Sequence, residues 1–196
     1  KGMNGRIAAF LKKEYADVKS DLFSAFIVRI MEMVKKGCFI GMMTPFNWMF
    51  LSSFEKLRTQ ILNESTLTSL VRPEFHAFFD SAYVTICGFT LYTKPLLDFE
   101  GAFIDLQKFY GADNQAPKTL EAIKNPNCGW FHRACASDFK KIPSSPIAYW
   151  VSEQVIHAFE NIPAIDNYSV FKQGMATSDN DRFLRYWQEI SINKAD

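Results

Sequence analysis

Seven uncharged residues, Cys38-Phe39-Ile40-Gly41-Met42-Met43-Thr44, run unbroken between Gly37 and Pro45. A β-strand points successive side chains to opposite faces, so a run without polar alternation has apolar groups to bury on both. Inner strands of parallel sheets, covered by helices on each side, meet that demand. The run therefore predicts an α/β chain in which Cys38–Thr44 lies towards the middle of a sheet, with something beside it on each side.

The flanking sequence supplies the other layers. Ile7, Leu11, Tyr15 and Val18 recur at helical spacing. A clearer helix follows, with Ser20 as its cap and Leu22, Phe23, Phe26, Ile27, Ile30, Met31, Met33 and Val34 on a broad apolar face. Lys35 and Lys36 suit the negative end of its dipole, and Gly37 the left-handed exit. Asn47 is expected to open a third helix with Phe50, Phe54, Leu57 and Ile61 on one face. Strands are expected at Leu67–Val71, Tyr83–Tyr92 and Gly101–Gln107, the second rich in β-branched and aromatic residues. Beyond, Asp113–Pro126 is polar with two prolines and reads as a surface excursion. Ser145-Pro146 suits a helix start with Val151, Val155 and Phe159 inward, and Asp179 or Asp181 a last helix carrying Phe183, Trp187 and Ile190. Too few strands are present to close a doubly wound sheet. The division expected is residues 1–110 as half of a larger α/β domain and 111–196 as a less regular extension.

Composition removes several function classes. Apolar residues make up 48% of the 196, so a sizeable core is available and global disorder is not expected. Twenty-two basic against 21 acidic side chains leave a net charge of +1, with no basic stripe for autonomous binding to a polyanion. No apolar run approaches a membrane span. Cys38, Cys87, Cys128 and Cys135 are irregularly spaced with no secretory signal, which reads as reduced thiols in the cytoplasm. Cys87 suits a small buried apolar side chain. Cys128, His132 and Cys135 lack a fourth ligand at any common zinc spacing, so no metal is expected. His76 and His157 lack a nucleophile–acid arrangement.

Several runs, in order, carry a resemblance. Asp21-Leu22-Phe23-Ser24-Ala25-Phe26-Ile27 resembles the Asp-Leu-Tyr-x-x-Phe helix of DNA adenine-N6 methyltransferases. Pro45-Phe46-Asn47-Trp48 resembles the turn after their next strand. Ser52-Ser53-Phe54-Glu55-Lys56-Leu57-Arg58 is similar to a run in the BREX-type phage-defence enzymes, the phage-growth-limitation X group. So is Ile142-Pro143-Ser144-Ser145-Pro146-Ile147-Ala148-Tyr149-Trp150-Val151-Ser152. Gly174-Met175-Ala176-Thr177-Ser178-Asp179-Asn180-Asp181-Arg182-Phe183 resembles the turn leading to their target-recognition region. Ser144 and Ser178 stand where that family usually has Gly.

The resemblance implies the second half of a Rossmann-like S-adenosylmethionine-dependent methyltransferase domain with a partly irregular C-terminal extension. Its parent would methylate the exocyclic amine of an adenine flipped out of double-stranded DNA. The family's Asn-Pro-Pro-Tyr loop and its glycine motif for the cofactor do not occur in these residues. The resemblance places both upstream of Lys1, so the chain alone is expected to be inactive, with no catalytic residue of its own. Phe26, with Asp21 and Leu22 at the same helix start, matches the cofactor side, where Phe26 would stack on the adenine of S-adenosylmethionine. Phe79 matches the ring that packs against the flipped base, and a one-residue slip would put Phe78 there. Arg182 and Arg185 match a turn facing the DNA backbone. A non-catalytic module docking to another subunit of a defence complex is the competing reading. The strand beside Cys38–Thr44 that ends in the catalytic loop would also lie upstream. The exposed edge is therefore expected to be covered by a second copy, a rearranged segment or residues 1–18.

Overall fold

Asn4 opens the first helix, its side chain accepting a 2.9 Å hydrogen bond from the Ile7 N–H, and α1 runs Gly5–Glu14. The structure, a computed structural model, describes residues 3–78, 83, 85–170, 179, 182, 184–189 and 191. The chain divides into two compact units, Lys1–Ile162 and Pro163–Asp196.

Helix α2, Leu22–Met33, starts from Asp21 and not from Ser20. Asp21 has extended backbone and its Oδ1 accepts the Leu22 N–H at 2.7 Å. The helix ends at Val34, so Lys35 and Lys36 lie beyond it. Gly37, at φ +86°, shapes the turn into the sheet, where the Cys38 N–H bonds the Lys35 carbonyl.

Five strands form one sheet in the order β1-β3-β2-β4-β5: β1 Phe39–Pro45, β2 Thr66–Arg72, β3 Ile86–Tyr92, β4 Glu100–Asp105 and β5 Phe131–Cys135. Strand β3 is antiparallel to both β1 and β2, β4 is parallel to β2, and β5 is antiparallel to β4. Strands β1, β2 and β4 thus share one direction. Cys38–Thr44 forms a strand as expected, and the neighbour expected upstream is not among the described residues. Its only partner among the described residues is antiparallel β3, and it lies at the end of the described sheet. Ile40 and Thr44 are buried, whereas Phe39 and Met43 on the other face are 68% and 62% exposed.

Burial on both faces belongs to β4 instead. Phe103 joins a large core with Ile27, Trp48, Leu57, Leu70 and Leu91. Its neighbour Ile104 joins a second cluster with Leu106 and Ala122 on the opposite face. Gly101 lets β4 lie close to β2, since a Cβ there would meet the Leu67 carbonyl at 2.5 Å.

Three further expectations are corrected. Asn47 opens no α-helix. Phe46–Met49 and Ser52–Phe54 are 3₁₀ turns, and α3 runs only over Glu55–Glu64. Asp113–Pro126 is no loose excursion, because α4, Ala112–Lys124, contains Pro117 and buries Ala122. Ser145-Pro146 starts no helix. Ser144 and Ser145 sit at φ +64° and +47°, α5 lies earlier at Ala136–Lys141, and α6 runs Glu153–Asn161 with Val155 and Phe159 half exposed. In the second unit Trp187–Glu189 forms a 3₁₀ turn and Asp179 accepts a hydrogen bond from the Arg182 N–H. Phe183 and Ile190 lie outside the described residues. Among those described, no helix is long and apolar enough to cross a membrane.

Candidate functional site

Because β1, β2 and β4 run in one direction, their carboxyl ends meet along one edge of the sheet, where open α/β sheets gather ligands. Pro45-Phe46, Arg72 and Asp105 stand there. Arg72 and Asp105 are opposite residues of the last rung of the β2–β4 ladder, and their side chains pair at 2.8 Å, largely buried. The Arg72 guanidinium also lies 5.6 Å from the Phe46 ring centre and 5.4 Å from that of Trp150. Arg72 thus links the ends of β1, β2 and β4 to the 142–152 run.

The segment after Arg72 leads to Phe79 and is pinned by one carboxylate. Glu74 is buried and accepts from the His76 N–H at 2.8 Å, from His76 Nδ1 at 2.9 Å and from the Gly111 N–H at 3.2 Å. Its own N–H donates to Gln115 Oε1 in α4. Burial alone would raise its pKa, but the hydrogen bonds from His76 and Gly111 outweigh it and hold the carboxyl below its ordinary value. Phe75 stacks on Tyr83 at 4.1 Å, bringing the two arms of the loop together. Phe78 is partly exposed. Phe79 lies outside the described residues.

On the helical side, Leu22 and Phe26 come to one place. With Ile7, Phe10 and Tyr15 they line an apolar groove of about 350 Å³ between α1 and α2. Phe26 is 54% exposed on a helix whose Ser24, Ala25, Ile27 and Val28 are buried. Asp21 does not line the groove, its carboxylate being engaged with the Leu22 N–H.

Behind the carboxyl edge lies a residue that periodicity does not single out. Arg58 is fully buried and, among the described residues, is bonded to no acidic group. Its Nη1 donates to the Trp48 and Leu51 carbonyls, each at 2.8 Å, while Nε and Nη2 both reach the Ser144 carbonyl at 3.0 and 2.8 Å. Trp48's carbonyl is therefore turned to Arg58, which explains why an α-helix does not begin at Asn47. The Ile147 N–H bonds the Met49 carbonyl at 2.9 Å, Tyr149 stacks on Phe103, and Trp150 meets Phe50 edge-on. Runs 46–58 and 142–152, far apart in sequence, form one block under the carboxyl edge.

Elsewhere, Cys87 is buried in β3, and burial pushes its thiol up to about 12. His132 packs on Tyr149, and burial lowers its pKa. Cys135 is the residue preceding α5. Arg182 and Arg185 are exposed in the second unit, where Arg185 donates to the Leu184 carbonyl. Sequence reasoning missed Arg72, Glu74 and Asp105, and weighed His132 only as a metal ligand. The one available signal was Arg72, a charge directly after the expected strand Leu67–Val71.

Comparison with known proteins agrees with this architecture. A family model described as Eco57I restriction-modification methylase matches residues 1–79. The adenine-specific methyltransferase BrxX of Escherichia coli O9:H4 (strain HS) is 34% identical over 100% of this chain, which spans 16% of that protein. The adenine-specific methyltransferase PglX of Lacticaseibacillus casei (strain Zhang) is 31% identical over 96% of the chain, again 16% of the relative. Among solved structures, a modification subunit of a putative type I restriction enzyme from Vibrio vulnificus YJ016 superposes with a TM-score of 0.52 at 14% identity. That match covers 66% of this chain and 31% of the subunit. A type I restriction-modification methyltransferase subunit from Streptococcus thermophilus gives 0.50 at 14% identity, covering 70% and 33%. Those two likenesses bear on the fold alone, a Rossmann-like methyltransferase sheet matched in part. Over 96–100% of its own length the chain is thus similar to BrxX and PglX, of which it spans about a sixth (16%).

Proposed function

We propose that the protein to which this chain belongs methylates the exocyclic amine of an adenine flipped from double-stranded DNA, within a restriction-modification or phage-defence system. In this reading residues 1–110 are the C-terminal half of the catalytic domain, and 111–196 lead towards the target-recognition region. The chain supplies one wall of the cofactor site and one wall of the base site. The reaction class rests on the relatives named adenine-specific methyltransferase.

The observation that carries the reading to this chain's own residues is the half-exposed ring of Phe26 beside an apolar groove. A flat, weakly polar heterocycle such as the adenine of S-adenosylmethionine suits such a surface, and the bound cofactor would supply the methyl group. Leu22 would contact the same moiety, and Asp21 would hold the helix start in place. Phe79 would stack on the flipped base, and Arg182 and Arg185 would contact phosphates. No Asn-Pro-Pro-Tyr loop occurs among the residues of this chain, so transfer requires the rest of the protein.

The test is made in the full-length protein with tritiated cofactor and duplex DNA. Phe26→Ala should weaken cofactor binding about tenfold, as loss of a stacking ring implies. Phe79→Ala should lower methyl transfer far more than cofactor affinity. The chain alone should give no transfer. Wild-type behaviour of both variants, or turnover by the chain alone, would refute the assignments.

A further inference from the structure

Strands β2 and β3 are antiparallel neighbours in the sheet, and a turn of about two residues suffices to join such a pair. The chain instead runs through residues 73–85, and connections of that length in compact domains are mostly functional. The start of this loop is held from outside. The Arg72 carbonyl accepts the Leu106 N–H at 2.9 Å, and the Pro73 carbonyl accepts from the Gln107 side chain. The Glu74 N–H donates to Gln115 Oε1 at 3.1 Å, and the Glu74 carboxylate accepts the Gly111 N–H. Residues 106–115 thus form a seat for the first arm of the loop.

Gln115 serves both sides of this contact. Besides accepting from Glu74, its Nε2 donates to the Phe109 and Gly111 carbonyls at 2.7 and 2.8 Å, which shapes the turn that offers the Gly111 N–H. His76 acts from the loop. Its Nδ1 faces Glu74 Oε1 and, against a carboxylate, must carry the proton. Its ring lies 4.9 Å from Tyr110 and 5.6 Å from Tyr83, centre to centre. Both tyrosines are more than half exposed, so apolar burial adds little here. A carboxylate is costly to bury, and a loop that merely joined two strands would gain nothing from Glu74. A loop that must keep one conformation does.

We propose that Glu74, His76 and Gln115 are positioning residues for methyl transfer. They hold the first arm of 73–85 on the head of α4 before DNA arrives, so that ordering the loop does not detract from base binding. The proposal rests on the function proposed above, in which the ring against the flipped base follows directly on this arm in sequence.

The experiment uses the full-length protein, tritiated S-adenosylmethionine and duplex DNA from a host that lacks the modification. Gln115→Ala should lower kcat about tenfold or more, as loss of its hydrogen bonds implies, with the cofactor Kd within about twofold of wild type. His76→Phe keeps a ring against Tyr83 and Tyr110 but no donor for Glu74, and should do the same. His76→Asn places an N–H near the position of Nδ1 and should recover most of the rate. Hydrogen exchange gives a readout apart from activity. The His76 and Ala77 amides, bonded to Glu74, should lose protection in Gln115→Ala while those of β3 keep it. The His76 side chain is partly exposed, so its variants decide the matter if Gln115→Ala fails to fold. A cofactor affinity falling in step with kcat would overturn the proposal, as would His76→Asn as slow as His76→Phe. Wild-type rate or unchanged protection in Gln115→Ala would do so too. A wild-type protein that transfers no methyl group sinks the proposed function and this role together. Any of the other outcomes in an active wild type sinks this role alone.

Discussion

Removing the guanidinium of Arg58 should loosen the link between two stretches 86 residues apart. Arg58→Met keeps the apolar stem but removes four donor contacts to the Trp48, Leu51 and Ser144 carbonyls. Leu51's carbonyl retains the Phe54 N–H. The other two carbonyls lose the donor found for them here, at about 1–3 kcal/mol each. Relief of the buried charge's desolvation offsets part of this. The net cost works out at about 3 kcal/mol, a large share of the roughly 5–15 kcal/mol that holds a domain together. In urea, with a slope of about 2 kcal/mol/M, the midpoint should fall by about 1.5 M. Arg58→Lys should recover less than half, because an ammonium cannot span the fork of carbonyls. Hydrogen exchange gives a local check, since the Ile147 N–H bonded to Met49 should lose protection more than the amides of β3. A loss below about 1 kcal/mol for Arg58→Met, or a lysine variant equal to wild type, would refute the account.

Ser144 holds φ +64°, a region where a side chain costs about 1 kcal/mol, so Ser144→Gly should raise the urea midpoint slightly. A lower midpoint would show that the hydroxyl matters more than the backbone. Glu74 has a folded pKa below its ordinary value of 4.5, so its stabilisation is present above that pH and fades as pH falls through the depressed value. Glu74→Gln should therefore be less stable than wild type at pH 7 and show a flatter loss of stability on acidification below pH 4.5. Parallel acid profiles for the two proteins would refute that assignment.

Strands β2 and β4 and helix α2 were legible within a few residues. The face α2 buries was not, since Phe26 and Met33 of its expected apolar face are exposed and Ser24, Ala25 and Val28 are buried. Strand β1 was legible as a strand, with β3 on one side among the described residues. Phe39 and Met43 read as core residues, yet they face outward on the strand at the end of the described sheet. Helix α4 was hidden by Pro117 and by a contact that buries only one alanine. The Arg72–Asp105 rung depends on a register between strands that no local pattern encodes.

The resembling runs 46–58 and 142–152 have a different physical meaning from what a motif suggests. Few of their side chains stand at the carboxyl edge, apart from Phe46 and Trp150. What they contribute is backbone: the Trp48, Leu51 and Ser144 carbonyls accept from Arg58, and the Met49 carbonyl accepts from Ile147. A side chain can drift with little consequence, but a carbonyl aimed at a buried cation fixes the turn that presents it. The non-helical turns at Phe46–Met49 and Ser52–Phe54 and the left-handed pair at Ser144 and Ser145 are the form that constraint takes. Glycine in the family at the position of Ser144 is then explained by the turn, with no role for the residue in the chemistry.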